Sequence, residues 1–405
     1  MYTSMFRKAM LGDTATLSLD FTAGTVPTEV TFTRADSTAR ATYIDASGYV
    51  KTVASAGAAR FDYTGGVAKG LLIEAAATNL APYSNGSTTG WGTGGNRTPT
   101  NNTGDITDPA NGNNATKLVL GTAGNYASYA TSISGLTGGA TYTVSYWIRG
   151  PATHSPRMYA QNGTVGDLTP SATTGTYSNT GWNRLTQTYT LPASTTQVLV
   201  YFMSANIATT GETYYVYGFQ LETGSTASSL IHTTTSSLTR LADDAVIRST
   251  AWTGRYSKPG TIVVEYYRGE YGAGDRSVLA IDTAATKHIH LKHANASAAS
   301  GIYNSAGSGV ANKAAGNASG LNKACFSWSS ANPSTIKYAL NGNATVVSGT
   351  SDIGATLGTW MTIGSASTTG VSGSGTWEGY LNNSIKSVKY YSELLSEADM
   401  IAKTT

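Results

Sequence analysis

The sequence contains few charged residues and a single cysteine. Charged residues make up 12% of the 405 residues, whereas roughly 25% is usual. The net charge is +3, and Lys and Arg form no run that could follow a phosphate backbone, so nucleic-acid binding is not expected. One cysteine, Cys325, excludes an internal disulfide framework. Residues 324–328, which include Cys325, show the alternating pattern of a strand. This pattern predicts that Cys325 is a buried structural thiol.

Long apolar segments are also missing. No apolar run approaches the ~18 residues that a membrane span needs, and residues 1–11 lack the apolar core of a secretory signal peptide. We therefore expect synthesis in the cytoplasm and no membrane span, so that any exposure outside the cell would follow another route.

Tyrosine and small polar residues take the place of charge and long apolar side chains. The chain has 25 Tyr but only 7 Phe, together with 46 Gly. Tyr and Thr favour half-buried pleated surfaces, while Gly and Asn suit tight turns, so the composition predicts an all-β protein. A chain of 405 residues exceeds what one hydrophobic core usually serves, which favours two or three domains.

Short alternating runs between residues 17 and 63 predict a small N-terminal β unit that needs neighbours to complete its core. Clearer strands at 115–120, 141–149, 182–189, 197–202 and 214–222 predict a β-sandwich. A third unit opens at Trp252, contains the hairpin signal Asn341-Gly342, and ends with a capping box at residues 396–399 that predicts one short helix. The predicted domains are 1–67, 68–235 and 251–405, with a linker at 236–250.

The first twelve residues form a short segment of their own. Basic residues stand beside apolar ones there, which is typical of a segment that docks on a partner, although a frayed terminus has the same composition. The candidate attachment residues are Phe6, Arg7, Lys8, Met10 and Leu11.

The stretch Gly70-Leu71-Leu72-Ile73-Glu74-Ala75-Ala76-Ala77-Thr78-Asn79-Leu80 is the first apolar concentration in the chain. Together with Arg60-Phe61-Asp62-Tyr63 before it and Trp91 after it, this stretch resembles a sequence motif of phage virion proteins that precedes a carbohydrate-binding jelly roll. The runs 141–149, 182–189, 217–224 and 238–244 resemble the later parts of that module in order. One departure is Ala75–Ala77, where the family carries acidic and basic residues.

The C-terminal part resembles a second family. Residues 357–364 and 377–391 are similar to the closing strands of concanavalin-like and laminin-G-like lectin domains, in which a glycine and an aromatic residue precede the final strand. The resemblances imply an all-β fold class with a small N-terminal β unit, two antiparallel β-sandwiches of jelly-roll type and one short C-terminal helix.

Catalytic and metal-binding patterns are weak. Glycan cleavage needs two carboxylates roughly 5–9.5 Å apart, but Asp and Glu are scattered, and a solvated strand face explains Glu265 and Glu378. We expect no enzymatic activity. His288 and His290 share a strand face beside His293, yet no fourth ligand is visible. Asp105, Asp108 and Asp167 could supply calcium oxygens, although turns explain the same residues, so no metal or cofactor is assigned.

Exposed aromatic rings are suited to sugar binding, because a ring face packs on the apolar face of a pyranose while nearby amides form hydrogen bonds with its hydroxyls. Half or more of such a set normally belongs to the core. Trp91 leads the set because nothing apolar surrounds it in the sequence. The candidates, which lie in or next to predicted loops, are Trp91, Tyr126, Tyr129, Tyr159, Trp182, Tyr271 and Tyr303.

These observations favour a phage virion structural protein, a fibre, tail or surface-decoration subunit that adheres to host-surface glycans. Its expected partners are other virion proteins, contacted by the N-terminal segment, and cell-surface glycans. Its expected assembly is a homo-oligomer, with a trimer favoured by analogy with phage fibres. Two alternatives stay open: a decoration protein without a ligand, and a polysaccharide depolymerase.

Overall fold

The computed structural model describes residues 15–92, 95–124, 126–151, 157–163, 165–206, 209–248, 259–269, 276–284, 287–293, 300–304, 309–313, 319–353, 360–365 and 379–405. These residues form antiparallel strands and one short helix, which confirms the predicted all-β class. The chain divides into two compact units. The first unit comprises 1–35, 57–75 and 242–405, and the second comprises 36–56 and 76–241.

The strands have the following bounds. The first fifteen are β1 (Leu17–Asp20), β2 (Thr31–Thr33), β3 (Thr42–Ile44), β4 (Val50–Thr52), β5 (Phe61–Thr64), β6 (Val67–Ile73), β7 (Ala77–Asn79), β8 (Arg97–Thr100), β9 (Thr116–Leu120), β10 (Tyr126–Ser134), β11 (Thr141–Arg149), β12 (Arg157–Ala160), β13 (Gly166–Leu168), β14 (Ala172–Thr174) and β15 (Asn183–Thr190). The remaining elements are β16 (Gln197–Asn206), β17 (Thr213–Thr223), β18 (Leu238–Arg240), β19 (Asp244–Ile247), β20 (Gly260–Arg268), β21 (Arg276–Ala284), β22 (Lys287–His293), β23 (Ser300–Asn304), β24 (Gly309–Lys313), β25 (Gly320–Trp328), β26 (Ser334–Leu340), β27 (Val347–Ser351), β28 (Met361–Ile363), β29 (Asn383–Tyr391) and helix α1 (Glu397–Thr404).

The first unit is a sandwich of two sheets. One sheet has the order β27-β26-β25-β20-β29-β6-β5, with β1 also paired to β29, and the other has the order β2-β19-β28-β21-β22-β23-β24. Alternate residues of each sheet point into a shared core, for example Ile262 and Phe326 from the first and Leu279 and Ile289 from the second. This arrangement follows from the period-two pattern of the strands.

Strands β1 and β2 belong to this first unit. Strand β1 pairs with β29 with Leu17 opposite Tyr390, and β2 pairs with β19 with Phe32 opposite Ala245. The first unit therefore contains residues from both sides of the predicted boundary at 67/68, and the predicted boundary at 235/236 lies inside the second unit. The physical reason is the small apolar content of residues 17–63. Strands β1, β2 and β5 bury their faces by extending the sheets made by the C-terminal part, whereas β3 and β4 form a ribbon of the second unit.

Gly70 allows β6 to approach β29 closely. Its φ is +102°, a conformation that favours glycine. A Cβ atom at this position would lie 2.1 Å from the Ile385 carbonyl oxygen. The glycine that opens the apolar stretch is therefore required by the pairing of β6 with the last strand of the chain.

An ionic clasp, formed by Arg34, Arg60, Glu74 and Asp243, lies in the first unit. Arg60 pairs with both Glu74 and Asp243, and Arg34 Nη1 lies 2.8 Å from Asp243 Oδ1. Both arginine side chains and that of Asp243 have no exposed surface. Salt bridges therefore form around Glu74 despite the alanines that follow it.

Attraction to the two carboxylates outweighs the effect of burial on Arg60. Burial alone would lower the pKa of Arg60, but Glu74 and Asp243 raise it above its usual value. The backbone reinforces the contact, because the amide of Glu74 donates to Asp243 Oδ2 at 2.9 Å and the amide of Asp243 donates to the Glu74 carbonyl at 3.0 Å. Segments that are distant in sequence are thus tied together within the first unit.

The second unit is a smaller sandwich. A four-stranded sheet with the order β10-β16-β12-β13 faces a six-stranded sheet with the order β14-β15-β11-β17-β9-β8. Two short ribbons, β3-β4 and β7-β18, complete the unit. Its core contains Met158, Val200 and Phe202 from the smaller sheet, and Tyr146 and Leu185 from the larger one.

Asn79 fixes the entry of the chain into this sandwich. The side chain is fully buried and makes four hydrogen bonds. Its Nδ2 donates to the carbonyls of Phe219 and Ile231 at 3.0 and 2.9 Å, while its Oδ1 accepts from the amides of Ala81 and Leu221 at 3.0 and 3.1 Å. Both donor hydrogens of Nδ2 and both acceptor positions of Oδ1 in this buried amide therefore have a hydrogen-bond partner.

Three local predictions are confirmed. Asn341 and Gly342 both have positive φ, 49° and 64°, as a tight turn requires, and Tyr338 pairs with Val347 across the hairpin. Ser396 caps α1 and accepts from the amide of Asp399 at 3.2 Å. Cys325 is buried, and burial raises the pKa of its thiol.

No helix among the described residues has the length and apolar character needed to cross a membrane.

Candidate functional site

The four-stranded sheet of the second unit has an open side. Along β12 and β16, Met158, Val198 and Val200 point into the core. The alternate residues therefore face away from the core. These residues are half-buried, and together with Asp167 of β13 they define the β12/β16 face: Arg157, Tyr159, Leu199, Tyr201 and Asp167.

Arg157 joins the two tyrosines of this face. Its guanidinium carbon lies 5.5 Å from the ring centroid of Tyr159 and 5.3 Å from that of Tyr201, within the range of a cation–π interaction. Strand pairing places Arg157 opposite Tyr201 and Tyr159 opposite Leu199. Asp167, opposite Tyr159 on the next strand, forms an ion pair with Nε of Arg157. The rings are thus held in place by a neutralised cation.

Uncharged polar groups border the rings. Ser132 on β10 lies opposite Leu199, donates to Gln161 Oε1 at 2.5 Å and accepts from Gln197 Nε2 at 2.9 Å. Asn162 Oδ1 accepts from the Gln197 amide at 3.0 Å. The face therefore combines two aromatic rings with amides and a hydroxyl that can exchange hydrogen bonds with a ligand.

The opposite side of the sandwich is covered by its own chain. Trp147 and Tyr217 on the outer side of the larger sheet pack with Val50 and Leu230, and Arg184 stacks over Trp147 at 4.8 Å. The rings of Trp147 and Tyr217 are buried by these contacts, whereas Tyr159 and Tyr201 keep part of their surface open.

A polar network fastens this covering segment. Gln220 Oε1 accepts from the Ile231 amide at 2.7 Å, and Ser228 Oγ donates to Glu222 Oε1 at 2.6 Å. Burial raises the pKa of Glu222, although hydrogen bonds from Ser228 and Gln220 act in the opposite direction. Burial also lowers the pKa of His232, which is partly offset by Asp108. These perturbed groups hold structure and lie away from the β12/β16 face.

Trp91 does not lie on the surface, although nothing apolar surrounds it in the sequence. The ring is 2% exposed and its centroid lies 4.3 Å from Phe202 and 4.7 Å from Phe219. Its indole nitrogen donates to the Tyr83 carbonyl at 3.0 Å. The polar loop turns inward and inserts this one ring into the core, so the apolar neighbours of Trp91 are distant in sequence.

Tyr129 is also a core residue. It is fully buried, donates to the Gly86 carbonyl and lies 5.8 Å from Trp91 between ring centroids. Burial raises the pKa of its phenol. Trp91 and Tyr129, both predicted to bind glycans, therefore have no exposed ring face to offer to a sugar.

The remaining aromatic candidates are dispersed. Trp182 lies on the covered side, where its indole nitrogen donates to the Thr107 carbonyl at 2.8 Å. Tyr126 and Tyr303 lie on β10 and β23, opposite Asn206 and His290 in register, and their side chains are outside the described residues. Tyr271 and the attachment residues Phe6, Arg7, Lys8, Met10 and Leu11 also lie outside them. Of the predicted aromatic residues whose side chains the structure describes, Tyr159 lies on the β12/β16 face.

Arg157, Leu199 and Tyr201 were missed by the sequence reasoning. The run Gln197-Val198-Leu199-Val200-Tyr201-Phe202 is apolar at almost every position, so its pattern does not show which alternate set faces solvent. Packing against the six-stranded sheet decides this question.

The acidic residues considered for calcium each bind protein donors. Asp108 accepts from the amides of Ala110, Gly112 and Asn114. Asp105 pairs with Lys117, and Asp167 pairs with Arg157. Within the described parts of the chain, no three His, Cys, Asp or Glu side chains are grouped as a metal site.

The other residues weighed for metal binding or catalysis lie in the first unit. His290 is buried, with Nε2 3.0 Å from Ser277 Oγ, and the side chain of His288 is outside the described residues. His293 is buried, and burial together with Arg268 and Arg276 lowers its pKa to about 3. Glu265 pairs with Lys386 at 3.1 Å, while Glu378 lies outside the described residues.

Comparison with solved structures finds distant likenesses. The chain is similar to the enzymatically active domain of the Bacteriophage CBA120 tailspike protein 4, with 14% identity and a TM-score of 0.28 over 36% of this chain and 21% of that one. It is also similar to the N-terminal CBM22-1-CBM22-2 tandem domain from Paenibacillus barcinonensis Xyn10C, with 12% identity and a TM-score of 0.26 over 79% of this chain and 99% of that one. The chain thus spans about a fifth of the length of the tailspike domain.

A family match is more informative for the second unit. The chain matches no curated protein, but residues 80–210 match a family described as "Carbohydrate binding domain". The matched segment includes β8 to β16 and with them all five residues of the β12/β16 face. The match supports glycan binding by this part of the chain and a binding role there in preference to a catalytic one.

Proposed function

We propose that the protein binds glycans and that the β12/β16 face is the binding surface. The observation that carries this proposal is the coincidence of two features in residues 80–210: the match to a carbohydrate-binding domain and a sheet face with two partly open tyrosine rings. A ring face packs on the apolar face of a sugar, and the amides beside it exchange hydrogen bonds with sugar hydroxyls.

The arrangement of the face is suited to this role. The rings of Tyr159 and Tyr201 are kept in place by Arg157 between them, so little side-chain entropy is lost when a ligand binds. Ser132, Gln161 and Gln197 are already connected to one another by hydrogen bonds, so their donors and acceptors are positioned before a sugar arrives.

Binding is tested with the full-length chain on a glycan array, followed by calorimetry on the glycans that bind. Tyr159→Ala and Tyr201→Ala are expected to weaken binding about tenfold or more, equivalent to ~1.4 kcal/mol or more. Tyr49→Ala is the matched control, because Tyr49 belongs to the same unit, is half-buried and lies 5.5 Å from a stacked lysine, Lys51. Unchanged affinity in both face variants, with melting curves like that of the wild type, would contradict the proposed surface.

We propose further that glycan binding serves adhesion by a phage virion, in which the chain is a fibre, tail or surface-decoration subunit. The sequence resemblance of residues 60–91 to phage virion proteins supports this role. A homotrimer would present weak sites together, and effective concentration can then raise avidity ~100-fold or more. Immunogold electron microscopy of purified virions tests the location, and mass photometry of the purified chain tests the trimer. Unlabelled particles would count against the virion role, and a monomer against the avidity argument.

The same glycans also test the two alternatives. Release of reducing ends from a bound polysaccharide would indicate a depolymerase. Absence of binding to every glycan by folded protein would favour a decoration subunit without a ligand.

A further inference from the structure

Charge on the β12/β16 face is limited to one cation and one anion. The sequences of β10, β12, β13 and β16 contain Arg157 and Asp167 and no other charged residue. The two side chains form an ion pair, so the net charge of the four strands is zero. Tyr159, Tyr201 and the amide and hydroxyl groups supply the rest of the polar surface.

Asp167 lies further into solvent than the arginine it neutralises. The Asp167 side chain is 61% exposed, whereas that of Arg157 is 27% exposed. A ligand that approaches the two rings therefore meets the carboxylate as well as the guanidinium. A carboxylate or sulfate on a sugar would compete with Asp167 for Arg157 and would be repelled by it, whereas a hydroxyl would not.

We infer that the β12/β16 face binds uncharged glycans and that Asp167 determines this selectivity by neutralising Arg157. The inference rests on the proposed function, since it assigns a ligand class to the same face. Removal of the Asp167 charge leaves a cation between two rings, which favours acidic sugars. The same change leaves ring stacking and the hydrogen bonds of Ser132, Gln161 and Gln197 in place, so neutral glycans remain bound.

The test compares pairs of oligosaccharides that differ only by a neutral sugar or its uronate. The full-length wild type is expected to bind the neutral member more tightly. Asp167→Asn is expected to shift the neutral-to-acidic ratio toward the acidic member roughly fivefold at low salt, because an exposed ion pair contributes up to about 1 kcal/mol. Added salt should reduce this shift.

Asp105→Asn is the matched control. Asp105 also forms an exposed ion pair, with Lys117, and its side chain is 45% exposed, but it lies outside the four strands of the face. This variant should leave the ratio unchanged. Asp167→Ser removes the same charge with a smaller side chain, so it replaces Asp167→Asn should the latter fail to melt like the wild type.

The possible results separate the inference from the function on which it depends. Glycan binding with an unchanged ratio in Asp167→Asn and Asp167→Ser would overturn the role of Asp167 and leave the proposed function standing. Tighter binding of the uronate by the wild type would do the same. No binding of either member by the wild type would overturn the proposed function together with the inference.

Discussion

Replacement of Arg60 by methionine should destabilise the first unit strongly. Arg60 is fully buried and pairs with Glu74 and Asp243, so the variant removes a cation that the two buried carboxylates share. Removal of one partner from a buried ion pair costs about 3–5 kcal/mol, because the remaining charge keeps its desolvation penalty. We expect a loss of this size in the free energy of unfolding.

The expected loss converts into a melting shift that calorimetry can measure. For a unit of roughly 220 residues, 1 kcal/mol corresponds to about 2–4 °C, so the transition of the first unit should fall by roughly 6–20 °C. Differential scanning calorimetry of the full-length chain gives this shift. Lys337→Met is the matched control, because it breaks an ion pair with Glu397 whose side chains are 37% and 56% exposed, which should cost less than about 1 kcal/mol.

A double variant tests the reason for the loss. Arg60→Met with Glu74→Leu removes one cation and one anion and leaves Arg34 paired with Asp243. Replacement of a whole buried pair by apolar residues is often close to neutral, so the double variant should recover half or more of the melting temperature lost in Arg60→Met. A shift of Arg60→Met no larger than that of Lys337→Met would refute the reasoning about the ionic clasp.

Two further predictions concern the second unit. Asn79→Ala leaves two buried carbonyls and two buried amides without their partner, so calorimetry should show a loss of about 3 kcal/mol or more, whereas the exposed control Asn114→Ala should change stability by less than about 0.5 kcal/mol. Burial raises the pKa of Glu222 above its ordinary 4.5; the stability this group contributes is complete below pH 4.5 and is lost as the pH rises through the folded pKa. The stability advantage of the wild type over Glu222→Gln should therefore be smaller at pH 7 than at pH 4 in urea titrations.

Each of these two predictions has an opposite outcome that would contradict it. Equal stability of Asn79→Ala and Asn114→Ala would show that water replaces the lost hydrogen bonds. A constant difference between wild type and Glu222→Gln across the two pH values would show that the folded-state pKa of Glu222 is unshifted.

Local patterns in the sequence predicted much of the secondary structure. The strand predicted at 141–149 has the bounds of β11, because Tyr, Thr and Val there favour an extended chain. Ser396 and Asp399 predicted the start of α1, since a capping box lies within four consecutive residues. The turn at Asn341 likewise depends on a residue that tolerates positive φ.

The candidate site was predicted less well. Tyr159 was found because it is an aromatic residue next to a loop, but Trp91 satisfied the same rule and is buried. Sequence neighbours do not reveal whether a loop turns into the core or stays on the surface. Tyr201 was missed for a related reason, because its strand is apolar on both sides and the side that faces solvent depends on the partner sheet.

The sequence by itself determined the all-β class, the buried thiol of Cys325 and the capped helix, because each depends on residues close together along the chain. The tertiary structure alone decided that β1 pairs with β29, that Arg60 pairs with Asp243 across 183 positions, and that Arg157 meets Tyr201 and Asp167. Such contacts depend on which segments bury their apolar faces together. The local periodicity of the sequence does not show which segments these are.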